Sequence, residues 1–237
     1  MTRVRVFTDA DDLGGALAGE IVDAYERAPG DSFLLGCPGG RSLVTTYRAL
    51  AAHDVDLSRL VVVMMDEYVG ADGDAHYSCR GFGERELAGP LGLRTDQVWL
   101  PDVEAPEEYD DRIAAAGGID LFLLASGASD GHIAFVAPGS SRARRTSVVE
   151  IADSTRRDNL ATFPAFASLA EVPKHGVSVG LGTIAAARAL RLVLHGADKR
   201  SATSRLLALD AFDPQWPASI VHEHDDAEIW VDREALA

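Results

Sequence analysis

Seven short runs of apolar, β-favouring residues punctuate this chain: "RVRVF" (3–7), "SFLLGC" (32–37), "LVVVMM" (60–65), "DLFLLA" (120–125), "GVSVG" (176–180), "LRLVLH" (190–195) and "AEIWVD" (227–232). Between several of them lie helical patterns, among them "LGGALAGEIVDAYERA", "SLVTTYRALAAH" and "ADKRSATSRLLAL". A strand with one wet face alternates apolar and polar residues, whereas most of these runs are continuously apolar and need cover on both faces. Continuous strands alternating with amphipathic helices predict an α/β fold: a mainly parallel sheet with helices on both faces. A length of 237 residues, 47% of them hydrophobic, suits one such domain over residues 1–237. No internal repeat or low-complexity linker divides it.

Charge narrows the partners. Against 22 Lys and Arg stand 37 Asp and Glu, a net charge of -15, which argues against nucleic acid and anionic membranes. A small phosphorylated molecule stays compatible, because local cations and backbone N–H groups can outweigh a distant field. Cys37 and Cys79 make neither a disulfide framework nor a CxxC pair. The N-terminus "MTRVRVFTDADD" has no apolar signal core, and no run approaches a membrane span. The expectation is a cytoplasmic protein.

Ligands of open parallel sheets bind beyond the carboxyl ends of the strands. "PGGRS", "DEYVG", "SGASDGH" and "LGT" follow four of the predicted strands, and in one parallel sheet they would share an edge. In "CPGGRS", Gly39 and Gly40 let the backbone approach an anion, and Ser42 is placed to cap the helix that follows. Arg41 adds a cation, so the loop reads as a phosphate cradle or as a plain strand-to-helix turn. "MMDEY" puts Asp66 and Glu67 behind six apolar residues, where a desolvated carboxylate becomes a base near neutral pH or a solvated one stays inert. Asp130 and His132 in "DGH" are a catalytic pair or an ordinary turn. No metal is expected, since partner ligands at workable spacing are missing. Lys199 in "HGADKR" is a second phosphate contact or a surface cation.

In order and spacing, "GCPGGRSLVTTYRAL", "MMDEYVG", "DGHIAF", "VPKHGVSVGLGT" and "HGADK" resemble the glucosamine-6-phosphate deaminase/isomerase family, which is related to the 6-phosphogluconolactonases. The similarity runs through most of the chain, and "DEYVG" with "DGHIAF" favours the deaminase branch. The resemblance implies a modified Rossmann-like sheet and cofactor-free aldose–ketose isomerisation of an amino sugar 6-phosphate, of gluco or galacto configuration, with loss of ammonia. It implies that Asp66 moves the C2 proton, that His132 with Asp130 opens the pyranose ring, and that Ser42 and Lys199 hold phosphate. Glu67 and Tyr77 fall in the substrate-flanking segment.

The chain departs from the family pattern at "HIAFVAP", where Val136 and Ala137 stand for the usual Asn-Glu. The histidine then keeps only Asp130 as a sequence-local acid, and ring opening is the step expected to weaken. An arginine expected downstream of "TR" is replaced near Ala161, with Arg156 and Arg157 close by. Two other readings stay open: a 6-phosphogluconolactonase-like hydrolase, and a non-catalytic sugar-phosphate-binding protein. Because allosteric relatives carry a longer region after the last strand, a monomer or homodimer without cooperativity is expected.

Overall fold

The computed structural model describes residues 2–71 and 77–237, apart from the side chain of Ala161. In chain order the elements are β1 (Arg3–Phe7), α1 (Ala10–Arg27), β2 (Phe33–Cys37), α2 (Val44–Ala51), β3 (Leu60–Met64), β4 (Asp66–Tyr68), α3 (Cys79–Gly83), β5 (Val98–Trp99) and α4 (Pro106–Ala115). There follow β6 (Leu121–Ala125), β7 (Ser147–Glu150), α5 (Asp153–Thr162), β8 (His175–Ser178), α6 (Leu181–Ala185), β9 (Leu190–Leu194), α7 (Arg200–Leu207), β10 (Ala227–Asp232) and α8 (Arg233–Leu236).

Seven strands form one sheet in the order β1-β10-β9-β6-β2-β3-β5, and every pairing in it is parallel. The continuous apolar runs are explained by two cores. Leu35, Cys37, Val62, Met64, Leu121 and Leu123 point to one face, where Leu13, Leu17 and Ile21 of α1 and Tyr47 and Leu50 of α2 cover them. Leu34, Val63, Phe122, Leu124, Leu192 and Ile229 point to the other, under Tyr109 and Ile113 of α4, Ile184 of α6 and Leu206 of α7. Alternation along the central strands β2, β3 and β6, combined with cover on both sides, leaves them no wet face for polar residues. Among the described residues, no helix is long and apolar enough to cross a membrane.

Two sequence expectations change. "GVSVG" does not join the parallel sheet: β8 pairs antiparallel with β4 and β7 in a separate three-stranded sheet. "DEY" is not a loop but β4, with Asp66 opposite Ser178 and Tyr68 opposite Gly176. Met65 is the hinge between the sheets. Its N–H donates to the Cys37 carbonyl at 3.2 Å, and its own carbonyl accepts from Val179 N at 2.8 Å. The chain thus passes from β3 into β4 with one residue between, which carries Asp66 under cover instead of into water.

The order of the parallel sheet also fixes where a ligand can sit. From β2 the chain runs outward through β3 to β5, then returns to the other side of β2 as β6. The crevice beyond the carboxyl ends of β2 and β6 is the point where strand order reverses, the place such sheets bind ligands.

Candidate active site

A cleft opens at that reversal point. Pro38–Ser42 after β2, Asp66 of β4, Ser126, Gly127 and His132 after β6, Lys199 after β9, and Asp158, Asn159 and Thr162 of α5 line it. Asp66, His132, Gly39, Gly40, Arg41, Ser42 and Lys199 are therefore brought together from β4 and three separate loops, with Asp130 held against His132.

Asp66 is only 4% exposed, and its Oδ1 has no hydrogen-bond partner among the described residues. Burial drives its pKa from 3.8 to about 7; the Cys79 thiol, which donates to it, pulls the other way, and the Glu67 charge adds to the rise. A carboxylate that titrates near neutrality is strong enough to take a carbon-bound proton and still be ionised when it starts.

His132 is the second proton-handling group. Its backbone N–H donates to Asp130 Oδ1 at 3.1 Å, and Nδ1 lies 2.6 Å from the same oxygen. An ionised carboxylate only accepts, so Nδ1 carries the proton and Nε2 is left for chemistry. Nε2 makes no hydrogen bond among the described residues. Burial pushes Asp130 up, but the His132 hydrogen bonds and charge, with the Ser154 hydroxyl, outweigh it and hold the carboxyl well below the usual range. Ser154 Oγ and Thr155 Oγ1, from the first turn of α5, both donate to Asp130 Oδ2. Gly127 faces the ring so closely that a Cβ there would overlap His132 Nδ1. Gly131, at φ +68°, lets "DGH" turn without a left-handed side chain.

The opposite end is cationic. Lys199 Nζ donates to the Ser126 carbonyl at 2.7 Å, and burial pulls its pKa down while Asp198 and Asp158 offset part of the effect. Arg41 pairs with Asp198 at 2.9 Å. Ser42 is not the helix cap that its place in the sequence suggests: a 3₁₀ turn over Arg41–Leu43 starts from Gly40, without a side-chain cap. Its carbonyl accepts from His195 Nε2 at 2.9 Å, and the residue still lines the cleft.

Glu67 and Tyr77 are placed differently from the expectation; neither is among the described cleft-lining residues. The Glu67 carboxylate accepts from the N–H groups of Tyr68, Cys79 and Arg80 and so ties β4 to the start of α3. Side chains alternate along a strand, so with Asp66 inward Glu67 faces the other way. Tyr77 stacks on Phe166, centroids 4.7 Å apart, and meets Tyr68 edge-on, in an aromatic cluster behind the site. Arg156 is buried and donates to the carbonyls of Leu169 and Val172 and to Asp153, so its guanidinium is a scaffold for α5. The side chain of Ala161 lies outside the described residues.

Asp158 and Asn159 were not foreseen. They sit on α5, whose sequence "DSTRRDNLAT" shows no apolar stripe because one flank serves the cleft instead of the core. Asp158 Oδ2 accepts from Ala128 N, Ser129 N and Ser129 Oγ. Asn159 Nδ2 donates to Tyr68 OH at 2.7 Å. Asp130, His132 and Asp158 converge within 4.8 Å, a grouping that spacing along the chain did not suggest. With Asp130 Oδ1 already on His132 Nδ1, the trio is an acid–imidazole–acid cluster.

The model of the glucosamine-6-phosphate isomerases/6-phosphogluconolactonase family matches residues 8–230. A glucosamine-6-phosphate deaminase of Beutenbergia cavernae is 36% identical, covering 99% of this chain and 91% of the relative. Another, from Pseudarthrobacter chlorophenolicus, is 37% identical over 94% of this chain and 87% of the relative. A solved monomeric glucosamine-6-phosphate deaminase superposes with a TM-score of 0.91 at 28% identity, over 98% of both chains. The 6-phosphogluconolactonase of Leishmania guyanensis reaches 0.76 at 17% identity, covering 99% of this chain and 97% of its own, which shows a shared fold.

Proposed function

The chain belongs to the glucosamine-6-phosphate isomerase/6-phosphogluconolactonase family, and we propose that it is a deaminase converting glucosamine 6-phosphate to a ketose 6-phosphate and ammonia. One observation carries the reading: a buried carboxylate titrating at about 7 shares a cleft with an Asp-oriented imidazole and a half-buried lysine. Lactone hydrolysis needs one group to activate water; it has no use for a second, separately tuned base.

Phosphate binds between Lys199, Arg41, Ser42 and the N–H groups of Gly39 and Gly40, where charge-assisted contacts and exposed amides favour an anion. His132 Nε2 takes the C1 hydroxyl proton and returns it to the ring oxygen as the C1–O5 bond breaks. The aldehyde so formed acidifies the C2 proton, which Asp66 removes to leave an enolamine. The substrate's ammonium group supplies the proton that O1 takes up, so the enolamine is neutral. Protonated Asp66 returns its proton to C1, which gives a C2 iminium and restores the carboxylate. Water adds at C2, and the carbinolamine expels ammonia, which carries off the surplus proton as ammonium, so the residues return to their starting states and the reaction draws only on substrate and water.

We place the protein in the cytoplasm as a monomer or homodimer with hyperbolic kinetics; of these, only the monomer has support from the 28% identical deaminase, which is itself monomeric. The test is a substrate screen that reads ammonia, ketose phosphate and acid release separately. Ammonia with ketose phosphate from glucosamine 6-phosphate is the expected result; acid from 6-phosphogluconolactone without ammonia would overturn it.

A further inference from the structure

The cleft holds a carboxylate to which the scheme above gives no task. Asp158 reaches it from α5 and meets the turn that leads into "DGH". All three of its hydrogen bonds use Oδ2, on Ala128 N, Ser129 N and Ser129 Oγ. Oδ1 makes none among the described residues. A carboxylate needed only to tie down a loop has no reason to lie within 4.8 Å of both a buried imidazole and its acid partner. Two acids beside one ring favour its protonated form, because each lowers the energy of the cation in a partly desolvated site. That form exists for a moment in ring opening, after Nε2 has taken the C1 hydroxyl proton and before the ring oxygen receives it.

We propose that Asp158 is a positioning residue for His132: it fixes the 127–129 turn through Oδ2 and stabilises the transient imidazolium during ring opening through its charge. The inference rests on the proposed role of His132. Asp130 meets the ring from its own loop, and the charged groups that line the cleft with His132 are Asp158 on α5, Asp66 on β4, Lys199 after β9 and Arg41 after β2. Lys199 and Arg41 oppose the imidazolium. Arg41 is engaged by Asp198, which leaves Asp130 and Asp158 to offset Lys199.

The experiment uses the full chain with Asp158→Asn, which keeps the shape and an oxygen for the turn, and Asp158→Glu, which keeps the charge. The His132 ring resonance, assigned by its loss in His132→Gln, is titrated by NMR without substrate, and kcat and KM are measured with glucosamine 6-phosphate. D158N is expected to move the His132 midpoint down by about half a pH unit or more, and to lower kcat about tenfold with KM changed less than about threefold. D158E is expected to recover most of both. An unmoved midpoint in folded D158N would overturn the proposal, and so would equal losses in D158N and D158E, which mark a role in tying the turn alone. If the parent protein releases no ammonia, the proposed function fails, yet the titration still decides whether Asp158 sets the charge of His132.

Discussion

Replacing Asp66 with asparagine is expected to stabilise the protein while abolishing its proposed chemistry. Burial is the main reason its pKa rises from 3.8 to about 7, so the folded state resists a charge that the unfolded chain accepts freely. Below pH 3.8 the carboxyl is protonated in both states and contributes no difference. Between 3.8 and about 7 only the unfolded chain ionises, so stability falls as pH rises. Above about 7 both states are ionised and the full penalty stands. At about 1.36 kcal/mol per pH unit, a gap of roughly three units gives a ceiling of about 4 kcal/mol. Asparagine removes the charge and nearly preserves the shape, but its new N–H donors need partners, which trims the expected gain to about 2–3 kcal/mol at pH 8. Equilibrium urea unfolding of both proteins at pH 4, 5.5 and 8, with the slope m compared to confirm the same exposed surface, measures this. The difference should be near zero or slightly unfavourable at pH 4 and grow with pH. A variant less stable than the parent at pH 8, or a difference independent of pH, would show that Asp66 is not the buried, unfavourably charged group described.

Four further outcomes follow from the structure. Because the base must be ionised, kcat/KM for deamination should fall about tenfold per pH unit below about 7, read from initial rates across pH 5–9. Lys199→Met should raise KM about 10–100-fold, since a half-buried charge-assisted contact to phosphate is lost, and move kcat far less in steady-state kinetics. Gly127→Ala should cost about 1–3 kcal/mol in thermal unfolding, because its Cβ overlaps the His132 ring. Gly15→Ala, with nothing within 4 Å of its Cβ, should instead gain about 0.5–1 kcal/mol in the same assay.

Much of the fold was legible because covered parallel strands leave continuous apolar runs. "SFLLGC", "DLFLLA" and "AEIWVD" all lie in the large sheet, and "PGGRS" and "SGASDGH" meet at the cleft with Asp66 of β4, whereas "LGT" opens α6 and does not line it. "GVSVG" misled because a buried antiparallel strand carries the same residues as a parallel one, and only its partners, β4 and β7, tell them apart. β5, of two residues, is too short to leave a pattern. Asp66, Asp130, His132 and Lys199 stood out as polar residues at strand ends. Asp158 did not, since a polar helix facing a polar cleft looks like a solvated one, and its approach to His132 depends on tertiary packing alone. Glu67 was misplaced with Asp66 because a loop imposes no alternation, whereas the strand that forms there sends the two side chains to opposite faces.

The central claim is that Asp66 removes the C2 proton of an open-chain amino sugar phosphate. The direct measurement follows glucosamine 6-phosphate in D₂O by NMR, with the parent protein and with D66N under conditions where both are folded and bind substrate. The parent should remove the C2 hydrogen and release ammonia and ketose 6-phosphate, while D66N should lose both activities by about 10²–10⁴-fold with binding kept. Ammonia release by folded D66N at near the parental rate would contradict the account.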